Sequence, residues 1–195
     1  LYTLAPSEVD RAFLSYEQFS PELIRVTVAV HDPEYWSNLG FDADAIPARL
    51  VERNLMPIGG EETLMRFWLV ASMLYSDGKE QILAWYLNSS HYGMNTIGAE
   101  QASQLYFGKS AADLSLAEAA LLVAVEQSPA LNPFDTPGAA LENKDALLQS
   151  LYAQGIVTES ELNTALADRI TFRPAPPAGA PSRVVSLALQ TVSAE

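Results

Sequence analysis

The chain has no cysteine, and only two of its 195 residues are histidine, His31 and His91. Without thiols it forms neither a disulfide framework nor a thiolate metal site, and two imidazoles are too few for a histidine-based metal cluster. The sequence therefore predicts no metal centre and no cofactor. It does not indicate a redox compartment.

Basic residues are also scarce. Eleven Lys and Arg stand against 24 Asp and Glu, which gives a net charge of −13. Nucleic acids and anionic lipid surfaces attract basic proteins, so we expect no nucleic-acid partner and no electrostatic adhesion to a membrane.

Long apolar runs are missing as well. The longest candidate, residues 64–75, is about a dozen residues long and is interrupted by Arg66 and Ser72, whereas a membrane-spanning helix needs about 20 residues. This run predicts a buried central helix instead. Because the chain begins at Leu1 and shows no basic and apolar leader, we expect a fragment or a processed form.

Helix signals dominate what is present. Hydrophobic residues make up 49% of the chain, which is enough for a sizeable core. Ser115 with Glu118, and Thr158 with Glu161, have the spacing of capping boxes that open helices. The pattern predicts a mainly α fold. The β-branched run at residues 23–30 is the one segment whose composition also suits a strand.

Composition divides the chain into three parts. Residues 1–20 form a polar and aromatic approach segment, and Pro21 opens the helical domain, which we expect to span 21–170. The remaining residues, 171–195, include RPAPPAGAPSR. A segment this rich in proline is typical of an extended linker or tail.

Residues 79–134 carry a specific set of motifs in fixed order. They are Tyr86-Leu87-Asn88, Gly93, Gly98, Ala102, Tyr106-Phe107-Gly108-Lys109, Leu114, residues 116–122 (LAEAALL), Pro129 and Asn132-Pro133. This pattern resembles the C-terminal half of family 51 glycosyltransferases, which are the peptidoglycan transglycosylase domains of penicillin-binding proteins and monofunctional transglycosylases. The resemblance weakens towards Pro21. It implies a lysozyme-like helical fold, lipid II as substrate class, and a bacterial protein on the outer face of the cytoplasmic membrane, anchored by a transmembrane helix upstream of this chain.

The first catalytic motif of that family is altered. The family motif resembles E-D-x-x-F-x-x-H-x-G, and its Glu is the general base. Here residues 31–40 read HDPEYWSNLG, so His31 replaces the Glu and Asn38 replaces the motif's His, while Asp32 remains. The resemblance therefore implies that the local fold is kept and the key carboxylate is lost.

Two further motifs also depart from the family. A motif resembling G-G-S-T-I-T-Q-Q-L keeps only Gly59 and Gly60, and Glu61 and Glu62 stand where a pyrophosphate needs hydrogen-bond donors. In a motif resembling R-K-x-x-E, the position of the Glu falls near Arg66. Family members can use a divalent cation, but no metal site is readable in these motifs.

The candidate catalytic residues are His31, Asp32 and Glu34. The candidate substrate-binding residues are Trp36, Asn38, Gly59, Gly60, Glu61, Glu62, Arg66 and Asn88. Each also has a structural interpretation. His31 suits a hydrogen-bonded structural role, Asp32 an N-cap for a new helical turn at 33–36, and Trp36 a core position.

Three functional hypotheses follow. The leading one is a degenerate transglycosylase, a pseudoenzyme that binds lipid II, peptidoglycan glycan or a protein partner of the cell-wall machinery. The second is an active transglycosylase in which His31 or Glu34 acts as base. The third is a lysozyme-like glycan hydrolase, which needs two carboxylates at suitable separation, here Glu34 with Glu61 or Glu62.

Overall fold

Eight α-helices and three short 3-10 turns make up the part of the chain that the structure describes. The computed structural model describes residues 13–39, 45–55 and 63–174, without the side chains of 53–55 and 63–68. The helices are α1 (Pro21–His31), α2 (Ile46–Leu55), α3 (Thr63–Ser76), α4 (Lys79–Ser89), α5 (Ala99–Tyr106), α6 (Leu116–Gln127), α7 (Pro137–Ala153) and α8 (Glu159–Ala167). The predicted mainly α fold is confirmed.

The β-branched run at 23–30 is helical. The hydroxyl of Ser20 accepts a hydrogen bond from the Leu23 N–H, and Pro21 stands at the first helical position, so the chain enters α1 with a good cap. Leu23 and Val26 are fully buried, and α1 packs against α6. Burial of this apolar face outweighs the strand preference of single residues.

Both predicted capping boxes are present. The Glu118 carboxylate accepts from the Ser115 N–H at 2.8 Å, and the Ser115 hydroxyl accepts from the Glu118 N–H. Thr158 and Glu161 repeat the arrangement at the start of α8. These caps fix where α6 and α8 begin.

The centre of the core is α6. Its residues from Ala117 to Val125 are all buried, and it packs on α1, α7 and α8. The prediction that the apolar run of α3 lies in a fully buried central helix is wrong. Among the described side chains of α3, Val70 is buried, but Met73 and Leu74 are only partly buried and Ser72 is exposed. Both helices are apolar nearly all round, and only the long-range packing distinguishes them.

The described core also includes residues of α4 and α6. Leu83, Tyr86, Leu121 and Leu122 are buried, and residues Phe13–Arg173 form one compact unit. Within the described ranges, no helix is long and apolar enough to cross a membrane.

Candidate functional site: a buried His–Glu pair at the first motif

The last residue of α1, His31, points into the interior. Its Nε2 lies 2.9 Å from Oε2 of Glu126, which is near the end of α6, and the two side chains are only 5% and 6% exposed. A buried carboxylate is tolerated when it is paired and hydrogen-bonded. The pair therefore joins α1 to α6 at the first residue of the motif-like segment 31–40.

Tyr86 of α4 completes this cluster. Its hydroxyl donates to the other oxygen of Glu126, Oε1, at 3.1 Å, and its ring centroid lies 5.5 Å from that of His31. Each oxygen of Glu126 thus has a partner, and three helices meet at one carboxylate.

Asp32 has a structural role that differs from the predicted one. Residues 33–38 form hydrogen-bonded turns rather than a helix, with the Asn38 N–H donating to the Glu34 carbonyl at 2.8 Å. The Asp32 carboxylate accepts from Asn38 Nδ2 at 2.7 Å and from the Ile46 N–H at 3.2 Å. It therefore closes the turn and caps α2, where an acid is favoured by the helix dipole. The expected N-cap at a helix starting at residue 33 is wrong.

Lys79 fastens the same turn to α4. Its ammonium donates to the backbone carbonyls of Tyr35 and Asn38, and the Tyr35 hydroxyl donates back to the Lys79 carbonyl at 2.5 Å. The turn is fixed from both sides. Because the Lys79 ammonium already donates to these two carbonyls, it is not available to bind an anionic ligand.

Glu34 and Trp36 lie on the outside of the turn. Glu34 is exposed, so the structure does not bring its carboxylate together with the buried His31. The core interpretation of Trp36 is wrong, because its side chain is 49% exposed. Tyr35 takes the buried position of the turn, with exposed residues on either side of it in the sequence.

Asn88 is used in the fold. Its Nδ2 donates to the carbonyls of Leu14 and Ala84, and its Oδ1 accepts from the Leu14 N–H. The amide thus binds the segment before α1 to α4. Its prediction as a substrate ligand has no support in these contacts.

Some candidates lie outside the described residues. These are Gly59, Gly60, Glu61 and Glu62, together with the side chain of Arg66. Within the described ranges, no three His, Asp or Glu side chains come together as a metal site would require.

Glu126 is the site residue that the sequence prediction missed. It follows the apolar run of residues 119–125 and lies four residues after the buried Leu122. That spacing places the two on one face of α6. A carboxylate on the buried face of an otherwise apolar helix was the available signal, since such a group needs a partner.

Comparison with known proteins gives the family. A family model described as "Transglycosylase" matches residues 65–152. The biosynthetic peptidoglycan transglycosylase of Shewanella oneidensis is 32% identical over 188 residues, and the match covers 85% of this chain and 81% of that protein. The chain belongs to the transglycosylase family.

Other relatives are much longer. Penicillin-binding protein 1A of Aquifex aeolicus is 30% identical over 187 residues, which cover 84% of this chain and 26% of that protein. The crystal structure of penicillin-binding protein 1A from Haemophilus influenzae matches with a TM-score of 0.58 and 19% identity, covering 93% of this chain and 20% of that one. The chain therefore spans about a quarter or less of these penicillin-binding proteins, and the solved structure shows the shared fold.

Proposed function

We propose that this chain is a degenerate transglycosylase domain that binds lipid II or peptidoglycan glycan with little or no polymerisation. One observation carries the proposal: at the position of the motif's general base, His31 is buried and paired with Glu126. It does not present a base to a substrate hydroxyl.

The remaining acids of the motif do not replace the base. Glycosyl transfer needs a group that accepts the proton of the acceptor hydroxyl, within hydrogen-bond reach of it. Asp32 is occupied by Asn38 and Ile46, and Glu34 is exposed on the outer side of the turn. Neither carboxylate is therefore placed to act as the base in place of His31.

Two lysines of the described residues, Lys79 and Lys109, are also not free to stabilise the leaving pyrophosphate. Stabilising it requires donors or cations aimed at the developing charge, and this term is usually a large share of catalysis. Lys79 is held by two backbone carbonyls, and Lys109 contacts Glu118 at 2.5 Å. The second motif supplies Glu61 and Glu62 instead of donors, in a chain of net charge −13.

Retention of the fold favours a binding role. The domain has its helix caps and a buried core, and it is similar in sequence to a protein named for peptidoglycan transglycosylation. The same relationship supports a place on the outer face of the cytoplasmic membrane, with the anchor upstream of this chain, and a protein partner within the cell-wall machinery.

The His31–Glu126 pair also favours a second candidate, an active enzyme. A carboxylate that orients an imidazole is a recurring arrangement for a general base. In this candidate His31 is the base and Glu126 orients it. It requires His31 to become accessible, because Nε2 now faces Glu126. The glycan-hydrolase hypothesis depends on Glu61 or Glu62, which lie outside the described residues, and no contact favours it.

Incubation with lipid II, scored separately for binding and for polymer, tests the proposal. We expect saturable binding of lipid II or of soluble glycan strands, and no glycan polymer. Absence of any binding, or polymer formed at the rate of an active transglycosylase assayed in parallel, would contradict the proposal.

A further inference from the structure

An open groove of about 560 Å³ runs along α1 on the outer side of the motif turn. It lies between the 3-10 turn Tyr16–Gln18, the helix α1 and the turn at 33–36. All of its lining residues except Glu17 and Arg25 are aromatic, aliphatic or proline, among them Tyr16, Ile24, Pro33 and Trp36. Its size falls in the usual range for ligand sites.

Trp36 stands in this groove as a fixed aromatic wall. Its ring packs edge-on against Tyr16, with centroids 6.1 Å apart, and against Tyr35, with centroids 5.0 Å apart. Nearly half of the side chain still faces solvent, at 49% exposure. A ring held in place and left open has little freedom to lose on binding, which favours its use as an anchor.

The rim of the groove is acidic. Arg25 lines it but contacts Glu22 at 2.6 Å and Glu161 at 2.8 Å, so its charge is matched twice. Glu17 adds another carboxylate, and hydrogen bonds from its own backbone N–H and from the Ser15 hydroxyl lower its pKa. Two carboxylates therefore contact the one guanidinium of the groove, which leaves an excess of negative charge there, and Glu17 is a further acid in the lining.

Negative charge also lies close to the phenol of Tyr16 in the groove. Burial raises the pKa of its phenol, and the negative charges of Glu80 and Glu17 raise it further. Acids thus flank the aromatic end of the groove. A cation next to these rings gains both the Coulomb attraction and the attraction of the ring faces.

We propose that this groove binds a basic, proline-containing extended peptide segment of a protein partner. Extended proline-rich segments dock in aromatic-lined grooves because their conformation is largely fixed before binding. The acidic rim complements Lys or Arg side chains of such a segment. A neutral sugar would use the Trp36 ring, but it would balance neither the Glu17 carboxylate nor the excess negative charge of the two acids paired with Arg25. This inference goes beyond glycan binding and does not depend on it.

Fluorescence anisotropy with a labelled synthetic peptide, acetyl-PPRPPRPP-amide, tests the proposal on the whole chain. We expect saturable binding that weakens as salt is raised, because the rim is exposed to screening. Trp36→Ala should weaken binding by about tenfold or more, as loss of an interface anchor does. Trp36→Phe should weaken it less.

Two controls make the comparison specific. Tyr152→Ala removes an aromatic side chain of similar exposure, 43%, on α7 outside the groove, and should leave binding unchanged. Glu17→Arg keeps every ring and reverses one rim charge, so it should abolish most of the affinity and its salt dependence. This variant preserves the test even if Trp36→Ala fails to fold. A peptide with Glu in place of Arg should not bind.

Other results would overturn the proposal. If Trp36→Ala keeps a native circular dichroism spectrum and binds the peptide as the parent does, the groove is not the site. If soluble glycan strands bind in a Trp36-dependent manner and displace the peptide, the groove is a sugar site instead. Lipid II binding is scored independently of both outcomes.

Discussion

The Nε2 atom of His31 lies 2.9 Å from the Glu126 carboxylate, and both side chains are buried. The contact ties the last residue of α1 to the last turn of α6, at the start of the motif-like segment 31–40. Removing Glu126 takes this partner from a buried imidazole, and removing His31 takes one partner from a buried carboxylate that also accepts from Tyr86.

Restoring the family residue at position 31 should fail to restore catalysis. His31→Glu would place two carboxylates in contact inside the core, and we expect it to cost about 3–5 kcal/mol of unfolding free energy, as loss of one partner of a buried pair does. Urea denaturation measures this cost. The variant should also form no glycan polymer. Polymer from His31→Glu with none from the parent would mean that a working donor site persists.

Removing the clash should recover stability without recovering activity. In the double variant His31→Glu and Glu126→Gln, one of the two like charges is gone, so we expect about 2 kcal/mol or more of the lost stability to return. Polymer should still be absent, since the pyrophosphate remains unsupported. If the double variant is no more stable than His31→Glu, the proposed coupling between the two positions is wrong.

We expect the Asp32 carboxylate to contribute to the stability of the fold rather than to catalysis. Asp32→Ala removes the acceptor of Asn38 and of the α2 N-terminus, and we expect a loss of about 1–3 kcal/mol in urea denaturation. Asp32→Asn keeps one acceptor oxygen and should lose less. Glu34→Gln, two residues away and exposed, serves as control and should stay within about 0.5 kcal/mol of the parent. Equal losses for all three would contradict the assigned role.

Glu161 should make stability depend on pH in the acid range. Hydrogen bonds from the Thr158 N–H, Arg25 and the Thr158 hydroxyl lower its pKa from 4.5 to about 2. A lowered pKa contributes stability that is present above pH 4.5 and disappears as the pH falls to about 2. Unfolding of Glu161→Gln and of the parent, compared across this window, should differ most at the high end and converge at the low end. A difference that stays constant throughout would contradict the assignment.

Glu159→Gln is the matched control for that series. Glu159 belongs to the first turn of the same helix, but the structure shows it in no ion pair with the residues described. This change leaves the hydrogen bonds of Glu161 in place, so the variant should keep the acid-range loss of stability that the parent owes to Glu161.

Local signals gave much of the fold. The serine and threonine caps of α6 and α8 were readable because each cap and its glutamate lie three residues apart. The motif residues between 79 and 134 identified the family before any contact was known. A local sequence pattern predicts the start of a helix because the capping contacts form between residues only a few positions apart.

The candidate site depended on contacts that no local pattern encodes. His31 and Glu126 are far apart in the chain, and their contact follows from the way α1 packs on α6. The choice of α6 over α3 as central helix is likewise long-range. Asp32 was misread because its partners, Asn38 and Ile46, lie across a turn rather than in a helix beginning at residue 33.

The most direct test of the central claim is a polymerisation assay on the parent chain. Labelled lipid II is incubated with this protein and, in parallel, with an active peptidoglycan transglycosylase, and the products are separated by gel electrophoresis. The buried His31–Glu126 pair predicts bound lipid II and no polymer, even after prolonged incubation. Glycan strands formed at a rate comparable to that of the active enzyme would contradict the claim that this fold has lost its chemistry.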